Sequence, residues 1–242
     1  MSLSDPRKVI EDVFMRGVGA DALDFRGDCL DRLDRDGFSY LEIHFAAQPR
    51  KAGRDLVEAG TESVGEGRVD LSAWRVCDLL AADLLLRLPV GEGLLERLYF
   101  QGDAEERRMV LRALPFVADK NAVVRLAEEA HRTNDEVLFE SGTLDSDLSA
   151  RHLDDDAYNR IVLKCAFVGF PKERLLGWET RGNAALSMTL FDFMTERQAA
   201  GRPVWPDTAP ICALAPESLH ERVKTETDGP LRAALDRFLA SI

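Results

Sequence analysis

The side chains with the clearest chemical potential are nine polar residues set in short polar and aromatic segments of the second half of the chain. Arg132 and Asn134 stand in His131-Arg132-Thr133-Asn134, Glu140 follows Phe139, Asn159 follows Tyr158, and Lys164 ends Val162-Leu163-Lys164. Arg181 and Asn183 lie in Gly177-Trp178-Glu179-Thr180-Arg181-Gly182-Asn183, and Asp192 and Arg197 precede Ala199-Ala200-Gly201-Arg202. Arginine offers a planar fork to phosphate or carboxylate, and lysine adds a point charge. Gathered in one pocket, Lys164 and the three arginines would hold a small anion. Asn134 and Asn159 would fix its hydroxyl groups, and Glu140 or Asp192 would orient the cations or act as a base. The same residues also read as structure: Asn183 as a helix cap, and the charged groups as bridges between neighbouring helices.

Other chemistry has little support. The sequence holds no GxSxG, Walker A, GxGxxG or HExxH pattern. Cys29, Cys77, Cys165 and Cys212 are scattered without a CxxC, and the four histidines stand far apart. Neither a disulfide framework nor a zinc site is expected. Asp154-Asp155-Asp156 sits at a helix start, where acidic groups complement the dipole, and no EF-hand spacing follows. No metal and no cofactor are therefore expected. Arg50, Lys51 and Arg54 form a basic cluster in a Gly-containing stretch, either plainly solvated or able to close over an anion.

Helical patterns dominate the elements that must position these groups. Apolar spacing and caps predict helices near 9–14, 22–33, 74–88, 94–100, 104–114, 122–132, 154–167, 184–200, 217–226 and 231–240. The stretch around Tyr40–Ala47 fits a helix or a strand. Pro49–Asp70 reads as a long loop or a hairpin-like excursion. Trp74–Leu88 is apolar on nearly every face, as a central buried helix should be. Gly142–Ser149 reads as a polar connection, and Arg202–Pro216, with four prolines, as a surface linker. The fold expected is a single all-α domain. It is an irregular array of antiparallel helical hairpins, α-solenoid-like with a HEAT-like layout, over residues 1–206. A helical extension over 207–242 follows.

The chain has 242 residues and a formal net charge of −12. That balance argues against gripping nucleic-acid backbones. The longest apolar stretch, Leu79–Leu88, is interrupted by Asp83 and Arg87 and is too short to span a bilayer, so no integral membrane segment is expected. A polar N-terminus without an apolar leader suggests a cytoplasmic protein.

In order and spacing, several segments resemble the EboA family. Its members typically show an "RTN…VFE" element, a "WNQMVLKA" helix, a "GL..R.N" element, a "D...ER.AAGR" helix and an upstream "PRK.GK" segment. Here these are matched by Arg132–Asn134 with Phe139-Glu140, Tyr158–Lys164, Gly177–Asn183, Asp192–Arg202 and Pro49–Gly53. The resemblance covers roughly Asp28 to Pro206. Departures fall at Asp145-Ser146-Asp147-Leu148, where relatives have Asn-Pro-Tyr-Pro, and at Tyr158, Arg160 and Gly182, where Trp, Gln and Ala are usual. The family is associated with bacterial gene clusters that make or export a small natural product. The resemblance implies an accessory or scaffold protein of such a pathway, its partner a pathway protein or a small anionic metabolite. An enzyme acting on a phosphorylated or carboxylated intermediate is the alternative.

Overall fold

A computed structural model describes residues 4–89 and 93–242. The first three residues of the polar N-terminus lie outside it. The chain divides into two compact units, Met1–His152 and Leu153–Ile242.

In the first unit, α1 (Pro6–Gly17) starts at Asp5, whose carboxylate accepts from the Arg7 N–H at 3.0 Å. It is followed by α2 (Ala20–Asp36). Next, α3 (Phe38–His44) runs through a 3-10 turn into α4 (Gln48–Lys51). The strand alternative for this region falls away. Leu41 and Phe45 are buried while Ile43 is 71% exposed, so burial follows helical i, i+4 spacing.

The all-α expectation needs one correction. β1 (Thr61–Val64) and β2 (Gly67–Asp70) form an antiparallel hairpin with Thr61 opposite Asp70 and Val64 opposite Gly67. Gly65, at φ +58, takes the first position of its two-residue turn, where a positive φ matches the twist of the strands. The turn and the β2 edge of the hairpin are bonded to other segments. The Gly65 N–H donates to Ser4 O, the Asp70 N–H to Asp145 O, and the Asp147 N–H to Arg68 O.

All ten residues of α5 (Val76–Leu85) are buried. Arg75 is its N-cap, and the Asp78 carboxylate accepts the Arg75 N–H at 2.9 Å. Asp78 and Asp83 are both fully buried within it. Arg108 Nη1 lies 2.7 Å from Asp78; Arg26 Nε and Arg87 Nη2 lie 2.7 and 3.0 Å from Asp83. After α6 (Leu94–Gln101), Asp103 and Glu106 exchange the two hydrogen bonds of a capping box at the start of α7 (Ala104–Ala113). Asp119 caps α8 (Lys120–Arg132), and Asp135 caps α9 (Glu136–Thr143). A short α10 (Leu148–His152) closes the unit. At its centre, α5 packs on α1, α2, α4 and α7, and α9 bridges α7 and α8.

In the second unit Asp154 caps α11 (Asp155–Val168), and Asn183 caps α12 (Ala184–Ala199). Ile161 and Cys165 are core, whereas Phe167 is 68% exposed because it falls off their i, i+4 stripe. The segment expected as a surface linker folds inward. Trp205 is buried, and α13 (Thr208–Cys212) buries Thr208, Ile211 and Cys212 against α12. The prolines mark turns within packed structure. α14 (Glu217–Thr225) also packs on α12, and α15 (Gly229–Leu239) packs on α14.

Candidate functional site

The polar segment after α9 is buried, not a solvated connection. Thr143, Asp145, Ser146, Asp147 and Ser149 are all buried as the chain passes along the hairpin. Thr143 Oγ1 donates back to Phe139 O at 2.6 Å, as expected for a hydroxyl with no water to meet. Asp145 has φ +59, the one positive φ at a non-glycine residue among the described residues. An L side chain there costs about 1 kcal/mol, and such strain gathers at functional sites. Its carboxylate lies 3.6 Å from the Arg112 guanidinium.

Beside this segment lies a cavity of about 290 Å³ in the first unit. Its floor is apolar, with Val64, Leu114, Phe116 and Leu148. Its rim carries Arg68, Lys120 and Arg151 against Glu66 and Asp147, so cations outnumber carboxylates in a strongly acidic chain. Gly67 sits where a Cβ would lie 2.5 Å from Arg151 Nη1 and 2.7 Å from Asp147 Oδ1, so any larger residue would displace both groups. Arg151 Nε is 3.7 Å from Asp147, and its Nη2 is 2.9 Å from His152 Nε2. That contact requires a neutral imidazole accepting from the guanidinium. Burial, and then the charges of Arg151 and Lys120, lower the His152 pKa below its ordinary value, against smaller opposing pulls from Asp147 and Glu66. The arrangement suits holding a small anion.

The nine polar residues read from the sequence lie elsewhere. In the first unit Arg132 is exposed and 3.7 Å from Glu128, Asn134 is exposed, and Glu140 is half-buried on α9. In the second unit three of them meet. Asn159 and Asn183 exchange amide hydrogen bonds of 3.2 and 2.9 Å, and Asn183 Nδ2 also donates to Arg181 O. Arg181 donates to Leu153 O and Asp155, and its guanidinium lies 4.6 Å above the Tyr158 ring. Together they clamp the start of α11 to the start of α12. Lys164 is half-buried farther along α11. Asp192 pairs with Arg222 at 2.5 Å, and Arg197 donates to Pro203 O. None of the nine lines the cavity. Arg50 and Lys51 are exposed on α4, the latter 6.0 Å from the Phe25 ring centre. Trp205, within the stretch expected as a surface linker, is buried and donates from Nε1 to Phe170 O.

The sequence matches the family described as metabolite traffic protein EboA over residues 40–211. The chain belongs to the EboA family. No curated protein and no solved structure matches it. The EboA match takes in the whole cavity lining except Pro6. Sequence reasoning passed over Arg68, Lys120 and Arg151 and set His152 aside. The available signal was the departure from the EboA pattern at Asp145–Leu148, of which Asp147 and Leu148 line the cavity. Tyr158, at a usual Trp position, buries its hydroxyl without a hydrogen-bond partner. Tyr158→Phe in this EboA chain is expected to raise stability by up to about 1 kcal/mol, read by thermal melting. A clear loss would show that the hydroxyl is satisfied.

Proposed function

We propose that this EboA chain is a cytoplasmic accessory protein of a bacterial natural-product biosynthesis or export pathway, and that it holds a small anionic metabolite in the hairpin cavity. The observation that carries this reading is the rim of Arg68, Lys120 and Arg151 over a buried floor, next to the strained Asp145. The family's description as metabolite traffic supports a carrier rather than a catalyst. So does Asp192, which is 55% exposed and already paired with Arg222. In this reading residues 1–206 are the family's body and 207–242 an extension; the family match itself spans 40–211.

Calorimetric titration with inorganic pyrophosphate tests the site. Saturable binding is expected, weakened about ten-fold by Arg151→Ala or Lys120→Ala. Absent binding, or parental affinity retained in both variants, would refute the assignment. Arg181→Ala and Lys164→Ala in the same titration test the convergent pocket read from the sequence; unchanged affinity assigns both residues to structure.

The pH dependence has a definite sign. Protonation turns His152 Nε2 from an acceptor into a donor, which releases the Arg151 guanidinium and adds a positive charge. A bound anion offsets the repulsion from Arg151 and Lys120 and so favours that protonation, whereas Asp147 and Glu66 already do. Corrected for the protonation of pyrophosphate itself, affinity is therefore expected to rise as pH falls from about 7.5 to about 5.5. In the unliganded chain the lowered pKa acts the other way: its stability contribution is present above about pH 6.5 and lost as pH falls. His152→Gln should flatten the binding profile.

A further inference from the structure

The hairpin cavity also constrains the uncharged part of its ligand. Its lining holds Gly, Pro, Ala, Val, Leu and Phe beside five charged residues and His152, with no Ser, Thr, Asn, Gln, Tyr or Trp among them. A hydroxylated body would therefore meet carbon or full charges, with no side-chain hydroxyl or amide to match it. Leu114 and Phe116, on the 3-10 turn after α7, are buried. Pro115 and Val117 beside them are half-buried, Ala118 is exposed, and Pro6 of α1 is half-buried. These four lining residues present apolar surface that a ligand can still cover.

The cations set the head group. Arg68 and Lys120 are exposed and make no ion pair among the described residues, whereas Arg151 is shared with Asp147. Glu66 is exposed on the hairpin turn and can face solvent. Two uncommitted cations are more than a single carboxylate needs, and a phosphomonoester carries about −1.5 to −2 charges at neutral pH. The cavity, about 290 Å³, lies at the small end of ligand sites, which limits the body to a short one. We infer that the metabolite held here is a phosphomonoester of a short aliphatic alcohol rather than a sugar phosphate. Its phosphate sits at Arg68, Lys120 and Arg151, and its hydrocarbon lies on the Pro115–Ala118 strip. This inference rests on the anion reading above and adds the ligand's body to it.

Titration of the full chain with hexyl phosphate, butyl phosphate, glucose 6-phosphate and inorganic phosphate separates head from body. Hexyl phosphate and glucose 6-phosphate carry the same head on six carbons, one chain bare and the other hydroxylated. Hexyl phosphate is expected to bind saturably and about ten-fold tighter than butyl phosphate, since each buried methylene adds up to about four-fold. It should bind at least about ten-fold tighter than glucose 6-phosphate or inorganic phosphate. Val117→Ser should narrow the hexyl-to-butyl ratio to about three-fold, whereas Lys120→Ala should weaken every phosphate about ten-fold and keep the ratio. Glucose 6-phosphate or inorganic phosphate binding as tightly as hexyl phosphate, with all of them weakened by Lys120→Ala, overturns the aliphatic body and leaves the anion site standing. A hexyl preference that Val117→Ser leaves intact overturns it as well, because the chain then lies elsewhere. No phosphate binding at all, or binding indifferent to both Lys120→Ala and Arg151→Ala, sinks the anion reading and this inference with it.

Discussion

Arg108→Met is expected to lower the stability of the chain by about 3–5 kcal/mol, read by urea unfolding. Asp78 is fully buried in α5, and Arg108, only 4% exposed, is the cation that neutralises it at 2.7 Å. Burial alone would lower the Arg108 pKa, yet Asp78's charge and hydrogen bond hold it above the ordinary value. Without the guanidinium, Asp78 keeps the Arg75 N–H at one oxygen, and its other oxygen has no partner already. The protein must then bury an uncompensated charge or protonate it. Asp78→Leu combined with Arg108→Met should recover most of the loss, because a matched apolar pair removes the desolvation cost of both charges. A single variant within about 1 kcal/mol of the parent would show that water reaches Asp78. Asp83 provides the contrast. Its partners Arg26 and Arg87 keep 15% and 22% of their side-chain surface exposed, so either can turn outward when Asp83 is replaced, and the cost should be smaller.

Trp74→Ala is expected to cost about 3–5 kcal/mol and to loosen the hairpin cavity as well. Trp74 is 1% exposed and meets Phe116 edge-on, with ring centres 5.6 Å apart at 68°. Its N–H donates to Leu71 O, and its carbonyl accepts from the Val57 N–H, so it ties both approaches to the hairpin to the core. Phe116 is also part of the cavity floor. Deleting the indole removes the support behind that ring, and pyrophosphate affinity should fall along with stability. Trp74→Phe keeps an aromatic partner and should retain most of both. A large stability loss with unchanged pyrophosphate affinity would separate the cavity from the core beneath it.

What could be read in the sequence was local. Asp103 with Glu106, and Asp119, Asp154 and Asn183, announce helix starts because a cap and its N–H lie three residues apart. The all-round apolar character of α5 announces its burial. Of the ion pairs made by α5 only Asp83 with Arg87, four residues on, is local; the partners Arg108 of Asp78 and Arg26 of Asp83 lie 30 and 57 residues distant and could not be read in this way. The cavity rim is likewise assembled by topology from the hairpin, the start of α8 and α10. Asp145 carries its strain without the glycine that would advertise it. The nine motif residues show the converse. Their types were right for a pocket, but spacing along the chain holds no information on convergence, and the structure gathers three of them into a helix clamp.

The hairpin has one more consequence. A two-stranded ribbon normally leaves two rows of unpaired N–H and C=O groups, each a template on which another chain can add a strand. Here Ser4 bridges to Gly65 at the turn, and the strained segment around Ser146 covers β2. On the β2 side the backbone around the left-handed Asp145 occupies bonds, at the Asp70 N–H and the Arg68 carbonyl, that a second copy of the hairpin would otherwise take.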